Sequence, residues 1–240
     1  MRALQLQILR LQAGGAAEKI GLFIKEIESQ MSWTTQLTWS ASAIEQRRFD
    51  GLRLLRVVPA ITELAQLDPA GKEQLQVSRL AMDLGSQRPQ DNDYSHDPKF
   101  TEAVAHKAYY GPVYFRRQSP YMTLSVAGTR LDAGVSVAML SLKLVWDVVS
   151  QMKVGEHGQA YVIDADGRLI AHPDISLVLG NTDMTKLAQV QAARTAGIET
   201  VQEGQDLQGH KVLSAYAQVS PLGWFVFVEL PVEEANALAQ

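Results

Sequence analysis

One short segment of the chain, residues 109–121, is rich in side chains that suit the binding of a small molecule. It contains four of the seven tyrosines and two adjacent arginines. A tyrosine offers a flat apolar ring with one hydroxyl group, and an arginine guanidinium can form paired hydrogen bonds with a carboxylate or a phosphate. The segment therefore predicts a site for a small anionic or aromatic ligand. Its candidate residues are Tyr109, Tyr110, Tyr114, Arg116, Arg117 and Tyr121.

The same segment also has a purely structural interpretation. In a β-sheet the rings could pack across neighbouring strands while the arginines stay in solvent. Side chains alternate between the two faces of a strand, so only one of Arg116 and Arg117 would point into a pocket. Asp93 and Tyr94 precede a predicted helix that begins with Asp97 before Pro98, and they could close the same pocket. We therefore add Asp93 and Tyr94 to the candidate site.

Other kinds of chemistry lack their signatures in this sequence. There is no cysteine, no GxSxG motif and no glycine-rich phosphate-binding loop. His157, His172 and His210 lie near Asp164 and Asp166, but none of them has the spacing typical of metal ligands. We therefore expect no catalytic residue, no metal site and no cofactor, and we expect that this region is not an enzyme.

The composition indicates a folded chain that is soluble by itself. Its 240 residues, 46% hydrophobic and 20% charged, allow one large domain or two ordinary ones. The net charge of −4 and the lack of a dense Lys/Arg block argue against a nucleic-acid surface. No apolar run reaches the roughly 18 residues of a membrane span, and Gln5, Gln7 and Arg10 interrupt any signal peptide. We expect a cytosolic protein or the soluble part of a larger one.

A long helix is predicted at the start of the chain. Apolar residues recur there at spacings of three and four, and no proline occurs before Pro59. If residues 1 to about 45 were all helical, the helix would be about 65 Å long. A helix of that length must run along two domains or pair with a copy of itself, so we expect a homodimer.

Three matches along the sequence predict that one folding unit occurs twice. The turn segment LDPAGK (67–72) matches IDADGR (163–168), and their first aspartates are 96 residues apart. YMTLSVAG (121–128) matches KVLSAYAQ (211–218), and the last strand of each half follows Gly134 or Gly223. Runs of strands separated by one helical stretch favour an antiparallel sheet flanked by helices, so the predicted fold class is α+β.

The whole chain resembles the double Cache, or tandem PAS-like, extracytoplasmic sensor domains of bacterial histidine kinases, chemoreceptors and nucleotide cyclases. The segments that carry the resemblance are DPAGKEQLQVSRL (68–80), YYGPVYFRRQSPYMTLSVAG (109–128), WDVVSQMKVGEHGQAYVIDADGRLIAHPD (146–174) and PLGWFVFVELPVEEA (221–235). They look most like the subset attached to sensor histidine kinases. The resemblance implies a periplasmic region of an inner-membrane receptor, with membrane spans outside this chain.

The resemblance also implies a division of the chain. Residues 1–48 would form a long scaffold and dimerisation helix, and residues 49–150 a membrane-distal module that binds a small molecule. Residues 151–232 would form a membrane-proximal relay module, and residues 233–240 would lead to a membrane span. Two other functions stay open: a stand-alone binding protein, and a module without a ligand that responds to a partner protein.

One subgroup of the family binds amino acids through a Tyr, Arg, Trp-Tyr motif and a later Asp, and this chain departs from that pattern. The residues at these positions are Asn92, Asp97, Lys99, Phe100 and, at the amine-binding Asp, Met139. A buried ammonium group beside a methionine would have no anionic partner. We therefore do not expect an amino acid to be held in the usual way.

Overall fold

A 31-residue helix, α1 (Arg2–Ser32), begins the computed structural model, which describes residues 2–36, 39–40, 43–79, 92–196 and 203–240. The helix is about 46 Å long. Its buried residues repeat at helical spacing and include Leu6, Leu9, Ala13, Ile20, Ile24, Ile27 and Met31. The described residues contain no helix that combines the length and the apolar character needed to cross a membrane.

The helix ends well before residue 45, where the sequence had predicted its end. Three hydroxyl side chains near its end donate hydrogen bonds to backbone carbonyls of the preceding turn: Ser32 to Ser29, Thr34 to Met31, and Thr35 to Ser32. Side chains that bond to the backbone in this way compete with helix continuation. A single 3₁₀ turn (Trp33–Thr35) follows, and a second helix, α2, spans Ile44–Val57.

The chain forms two compact units. Unit 1 consists of Met1–Phe23 with Leu144–Gln240, and unit 2 consists of Ile24–Lys143. Helix α1 therefore contributes residues to both units. The predicted α+β class, with a long first helix and two antiparallel sheets, is confirmed.

Unit 2 contains one antiparallel sheet in the strand order β2-β1-β6-β5-β3, with β4 paired to β5. Its elements after α2 are β1 (Ile61–Leu67), β2 (Glu73–Ser78), α3 (Pro98–His106), β3 (Ala108–Tyr110), β4 (Tyr114–Arg116), β5 (Ser119–Ala127) and β6 (Val135–Ser141). Helix α3 begins as predicted, because the Asp97 side chain accepts a hydrogen bond from the Lys99 N–H at 3.0 Å and Pro98 occupies the first turn.

Unit 1 contains a second antiparallel sheet, in the order β8-β7-β11-β10-β9. Its elements are α4 (Lys143–Gln151, beginning at the last residue of unit 2), β7 (Gln159–Ile163), β8 (Leu169–Ala171), α5 (Ile175–Leu179), α6 (Ala188–Ala196), β9 (Glu203–Gln205), β10 (Lys211–Val219), β11 (Trp224–Pro231) and α7 (Val232–Leu238). The strands follow the same order as in unit 2.

The matched turn segments have the same detailed geometry. Asp68 Oδ1 accepts the backbone N–H groups of the residues two and four positions ahead, and Asp164 Oδ1 does the same. Gly71 and Gly167 both adopt φ near +88°, a conformation that disfavours residues with a Cβ. The other two sequence matches fall on β5 and β10, and on β6 and β11. The predicted repeat therefore corresponds to equivalent elements of the two sheets.

Candidate functional site

One face of the unit 2 sheet, which we call the α3 face, carries most of the predicted binding residues. Side chains directly opposite on neighbouring strands share a face. Tyr109 pairs with Ser125, and Ser125 pairs with Val137, which packs in the apolar cluster beneath α3. Tyr114 pairs with Tyr121, four residues before Ser125 on β5, so it lies on the same face.

At one end of the α3 face, two of the predicted tyrosines pack against the apolar cluster. Tyr94 and Tyr109 contact the cluster together with Phe100. Its buried members are Leu67, Ala103, Ala127, Val135 and Val137. The Lys99 ammonium lies 3.5 Å from the centre of the Tyr94 ring, a cation–π contact. This end of the face therefore presents a positive charge on an aromatic surface.

At the other end, Tyr114 and Tyr121 stack with ring centres 6.0 Å apart. The Arg116 guanidinium contacts the Met139 Sδ at 3.7 Å and is otherwise exposed to solvent. Burial raises the pKa of the Tyr114 hydroxyl, and a hydrogen bond with Thr123 opposes that rise. The Tyr114 hydroxyl is therefore a neutral hydrogen-bonding group at physiological pH, and Arg116 is the nearby cation.

Three predicted residues are not brought to the α3 face. Tyr110 alternates to the opposite face, where its hydroxyl donates to Glu28 Oε2 at 2.7 Å. Arg117 is exposed in a turn at φ 52°. Asp93 is exposed, and its carboxylate accepts the Ser95 backbone N–H, an interaction that lowers the pKa of Asp93.

Two carboxylates on the α3 face were missed by the sequence analysis. Glu63 on β1 lies directly opposite Met139. Glu73 on β2 is buried, and its Oε2 accepts a hydrogen bond from the Asn92 side chain at 3.1 Å. Burial raises the pKa of Glu73, while Asn92 and Lys99 lower it. Alternation along β1 places Glu63 on the same face as Ala65 and could have identified it.

The α3 face also contains a buried hydroxyl group that has no partner among the described residues. Ser125 is completely buried between Tyr109 and Val137 in the sheet, and its Oγ forms no hydrogen bond with any described residue. A buried hydroxyl without a partner costs free energy unless another molecule satisfies it. This group is therefore a further candidate for ligand contact. Within the described ranges, no three His, Asp or Glu side chains are placed to hold a metal ion.

Two sheets of the same strand order and one long helix that contributes to both units define a tandem α+β fold. The sequence model of the double Cache family (dCache_1), described as a Cache domain, matches residues 2–239. The chain therefore belongs to the Cache domain family, and the predicted resemblance is confirmed.

The curated relatives are chemoreceptors. The methyl-accepting chemotaxis protein PscA of Pseudomonas syringae pv. tomato is 26% identical over 106 residues, and PctB of Pseudomonas aeruginosa is 26% identical over 108 residues. Each match covers 44% of this chain but only 16% of the relative. This chain thus corresponds to a small part of those proteins.

Solved structures match nearly the whole chain. The extracellular domain mmHK1S-Z2, described as that of a histidine kinase, has a TM-score of 0.77 at 15% identity and covers 96% of this chain and 98% of its own. The sensory domain of the Campylobacter jejuni chemoreceptor Tlp3 has a TM-score of 0.69 at 14% identity, covering 97% and 92%. The ligand-binding domain of Pseudomonas aeruginosa PctC, in complex with GABA, has a TM-score of 0.65 at 15% identity, covering 94% and 99%. These identities establish the fold alone.

Proposed function

We propose that this chain is the periplasmic ligand-sensing domain of a transmembrane receptor of the inner membrane, a sensor histidine kinase, and that unit 2 binds the ligand. The observation that carries the proposal is the α3 face. It gathers four of the predicted tyrosines and Arg116. Lys99 and the unpartnered Ser125 hydroxyl lie on the same face. Unit 2 would be the membrane-distal module and unit 1 the membrane-proximal module.

The charges on the α3 face favour a ligand with an anionic or aromatic group. Arg116 and Lys99 supply the two cations, and the Tyr94 and Tyr114 rings supply apolar surface beside them. Glu63 and Glu73 would repel an anionic group placed close to them. We therefore propose that the anionic group of the ligand binds at Arg116 or Lys99, with its apolar part against the rings.

The solved relatives support a small organic ligand. PctC is in complex with GABA, Tlp3 is in complex with 4-methylisoleucine, and Mlp24 is in complex with asparagine. In this chain Met139 is the residue that the sequence analysis placed at the amine-binding Asp of the amino-acid-binding subgroup. Glu63 lies opposite Met139 on the adjacent strand. The ligand class therefore needs a direct test rather than transfer from these proteins.

Signalling through such a domain requires that the ligand prefers one of two conformational states. A ligand that binds one state about 100-fold more tightly shifts the balance by about 2.7 kcal/mol. That shift is sufficient to control a receptor whose two states are close in free energy. The output domain of a histidine kinase, or of a chemoreceptor or nucleotide cyclase, would lie outside this chain.

The ligand proposal is tested by a thermal-shift screen of organic acids, nucleobases, amines and amino acids. For a compound that stabilises the chain, we expect Arg116→Ala to raise its Kd roughly tenfold or more, since a hydrogen bond to a charged group contributes about 1.5–3 kcal/mol. Because Arg116 is exposed, its replacement should leave the unfolding temperature unchanged.

Arg117→Asn is the matched control for this experiment. It removes a positive charge from the next residue, and asparagine tolerates the φ of 52° found there. The control should bind the compound as tightly as the wild type does. An unchanged affinity in Arg116→Ala would remove Arg116 from the site. A screen in which no compound stabilises the chain would favour the alternative of a module that responds to a partner protein.

We also propose that the domain forms a homodimer through α1. Opposite its buried stripe, the helix exposes Leu4, Ile8, Leu11 and Leu22. Their spacing continues through Gly15 and Glu18 with alternating steps of four and three, which is typical of a coiled-coil seam. Leu11, for example, is 70% exposed.

Sedimentation equilibrium tests the dimer. We expect Leu11→Glu to raise the dimer dissociation constant roughly tenfold or more. The substitution places a charge in the seam and removes a leucine side chain that the dimer would bury. Ala3→Glu, which introduces the same charge outside the seam, is the control and should leave the constant unchanged. A wild-type chain that is monomeric at every concentration would contradict the proposal.

A further inference from the structure

Unit 1 contains a cavity of about 190 Å³ over its own sheet. The volume corresponds to roughly six water molecules and is smaller than the pockets that hold drug-sized ligands. Tyr161 from β7 and Glu229 from β11 lie on its sheet side. Leu177, Met184 and Leu187 form part of its apolar wall. The cavity thus has one apolar part and one strongly polar part.

The polar part is centred on the carboxyl group of Glu229, which is only 2% exposed. Its Oε2 accepts three hydrogen bonds: from the Tyr161 hydroxyl at 3.1 Å, the Gln189 Nε2 at 3.1 Å and the Ser214 hydroxyl at 2.7 Å. No described residue donates a hydrogen bond to Oε1. One oxygen of the carboxyl group is therefore held in place, and the other is left for a molecule in the cavity.

In the part of the chain that the structure describes, no cationic side chain forms an ion pair with this carboxyl group. The other titratable residues that line the cavity are Tyr161, His172, Asp174 and Asp206. Burial lowers the pKa of His172, so the ring is neutral at pH 7. His210 contacts Asp206 at 3.2 Å rather than Glu229. Among the described residues, no lysine or arginine lines the cavity, so its electrostatic potential favours a positive charge.

We propose that this cavity binds a small organic cation, a primary ammonium compound with a short apolar chain, whose ammonium group binds Glu229 Oε1. The ammonium group carries three donors and a full positive charge, which a buried carboxylate without a cationic partner requires. The apolar chain packs against Leu177, Met184 and Leu187. This site lies in a different unit from the α3 face and does not depend on the proposed function of unit 2.

The position of Glu229 in its sheet can be compared with the equivalent position in unit 2. Glu229 lies opposite Ser214 on one neighbouring strand and opposite Gln159 on the other. In unit 2, Met139 occupies the equivalent place, opposite Thr123 and Glu63. The two sheets therefore carry a carboxylate and a thioether at the same topological position. Unit 1 thus has a buried carboxyl group at the sheet position where unit 2 has an uncharged side chain.

The protonation state of Glu229 supplies a specific signature. Burial raises the pKa of its carboxyl group to about 7, against the lowering effect of its three hydrogen bonds. A bound ammonium group favours the ionised carboxylate, so binding near pH 6 must release a proton from Glu229. Affinity therefore rises as the pH increases from 6 to 8.

Isothermal titration calorimetry with propylammonium as the probe tests this inference. The titration is carried out on the full chain at pH 6 and pH 8, in buffers of different ionisation enthalpy. We expect binding at both values, tighter at pH 8, with proton release at pH 6. 1-Propanol has a similar size but no charge, and it should bind at least about thirtyfold more weakly.

Two variants and two controls locate the site. Glu229→Gln should weaken propylammonium binding at least about thirtyfold and abolish proton release. Glu233→Gln, the same substitution at an exposed position, should bind as the wild type does. Leu187→Phe, which fills the apolar part, should also weaken binding and leaves the carboxyl group in place. Arg116→Ala in unit 2 should have no effect.

Several outcomes would overturn the inference. One is an absence of propylammonium binding to the wild-type chain at millimolar concentration. Another is equal binding of 1-propanol. A third is unchanged affinity in both Glu229→Gln and Leu187→Phe. If Glu229→Gln does not fold, the proton release by the wild type and the effect of Leu187→Phe decide the question.

Discussion

Replacing Arg47 with alanine is expected to lower the free energy of unfolding by about 3–5 kcal/mol, because it removes a large buried side chain and the hydrogen bonds that this side chain donates. Arg47 is only 1% exposed and lies on the face of the unit 2 sheet opposite the α3 face. It is among the largest completely buried side chains in the chain. Its loss would leave a cavity and would remove the donor from the buried Gln66 Oε1, whereas the Ala133 carbonyl keeps a hydrogen bond from the Trp39 Nε1.

The contacts of Arg47 explain the size of this effect. Its guanidinium donates to the Gln66 Oε1 at 2.9 Å, to the Ala133 carbonyl at 3.2 Å and to the Thr34 carbonyl at 3.3 Å. It also lies 4.0 Å from the centre of the Trp39 ring. The side chain therefore joins four separate segments of unit 2. Each acceptor left unpaired in the interior costs about 1–3 kcal/mol.

Two further variants make the prediction specific. Arg47→Lys keeps the positive charge but cannot reproduce the planar fork, so it should recover only part of the lost stability. Arg53→Ala removes an exposed arginine from the same helix and should change stability by less than about 0.5 kcal/mol. Guanidinium denaturation followed by tryptophan fluorescence gives these values. Equal stabilities for Arg47→Ala and Arg53→Ala would contradict the structural role of Arg47.

The second large effect is the dependence of stability on pH that Glu229 introduces. Burial raises the pKa of this carboxyl group from 4.5 to about 7 in the folded chain. Between pH 4.5 and pH 7 the Glu229 carboxyl group binds its proton more tightly in the folded state than in the unfolded state. The contribution of this protonation to the free energy of unfolding is therefore complete below pH 4.5 and is lost as the pH rises through 7. Over that interval the loss is about 3 kcal/mol.

Glu229→Gln should remove this dependence. The glutamine carbonyl oxygen can accept the three hydrogen bonds now made to Oε2, and the amide does not titrate. We expect the variant to gain about 3 kcal/mol relative to the wild type between pH 4.5 and pH 8. Urea denaturation of both proteins at several pH values measures the difference. Parallel pH profiles for the two proteins would show that Glu229 has an ordinary pKa.

Local signals made much of the fold predictable. Asp97 before Pro98 predicted the start of α3, because capping depends on a few adjacent residues. The paired turns at Asp68 and Asp164 were recognisable for the same reason, since aspartate and a positive-φ glycine at fixed spacing determine a turn within five residues. Alternation along a strand had predicted opposite faces for Arg116 and Arg117, but β4 ends at Arg116 and Arg117 lies in the following turn at φ 52°.

Interactions between distant residues could not be predicted in this way. The segment that contains Glu229 is strongly apolar in sequence, and β11 is buried along nearly its whole length. What gives Glu229 its character is contact with Tyr161, Gln189 and Ser214, which come from three other elements. Nothing within the segment 219–232 indicates those contacts. Arg47 is a similar case, since its acceptors lie up to 86 residues away.

The division of unit 1 into two stretches of sequence has a consequence for biosynthesis. Leu6, Leu9 and Ala13 of α1 are buried in the folded chain, and Gln12 bonds to the carbonyl of Lys153. All 120 residues of unit 2 are translated between Phe23 and Leu144. At about 5–20 residues per second, the ribosome needs roughly 6–24 s for that interval. During this time the apolar residues of the first turns of α1 have been synthesised but the rest of unit 1 has not, so they stay exposed on the nascent chain.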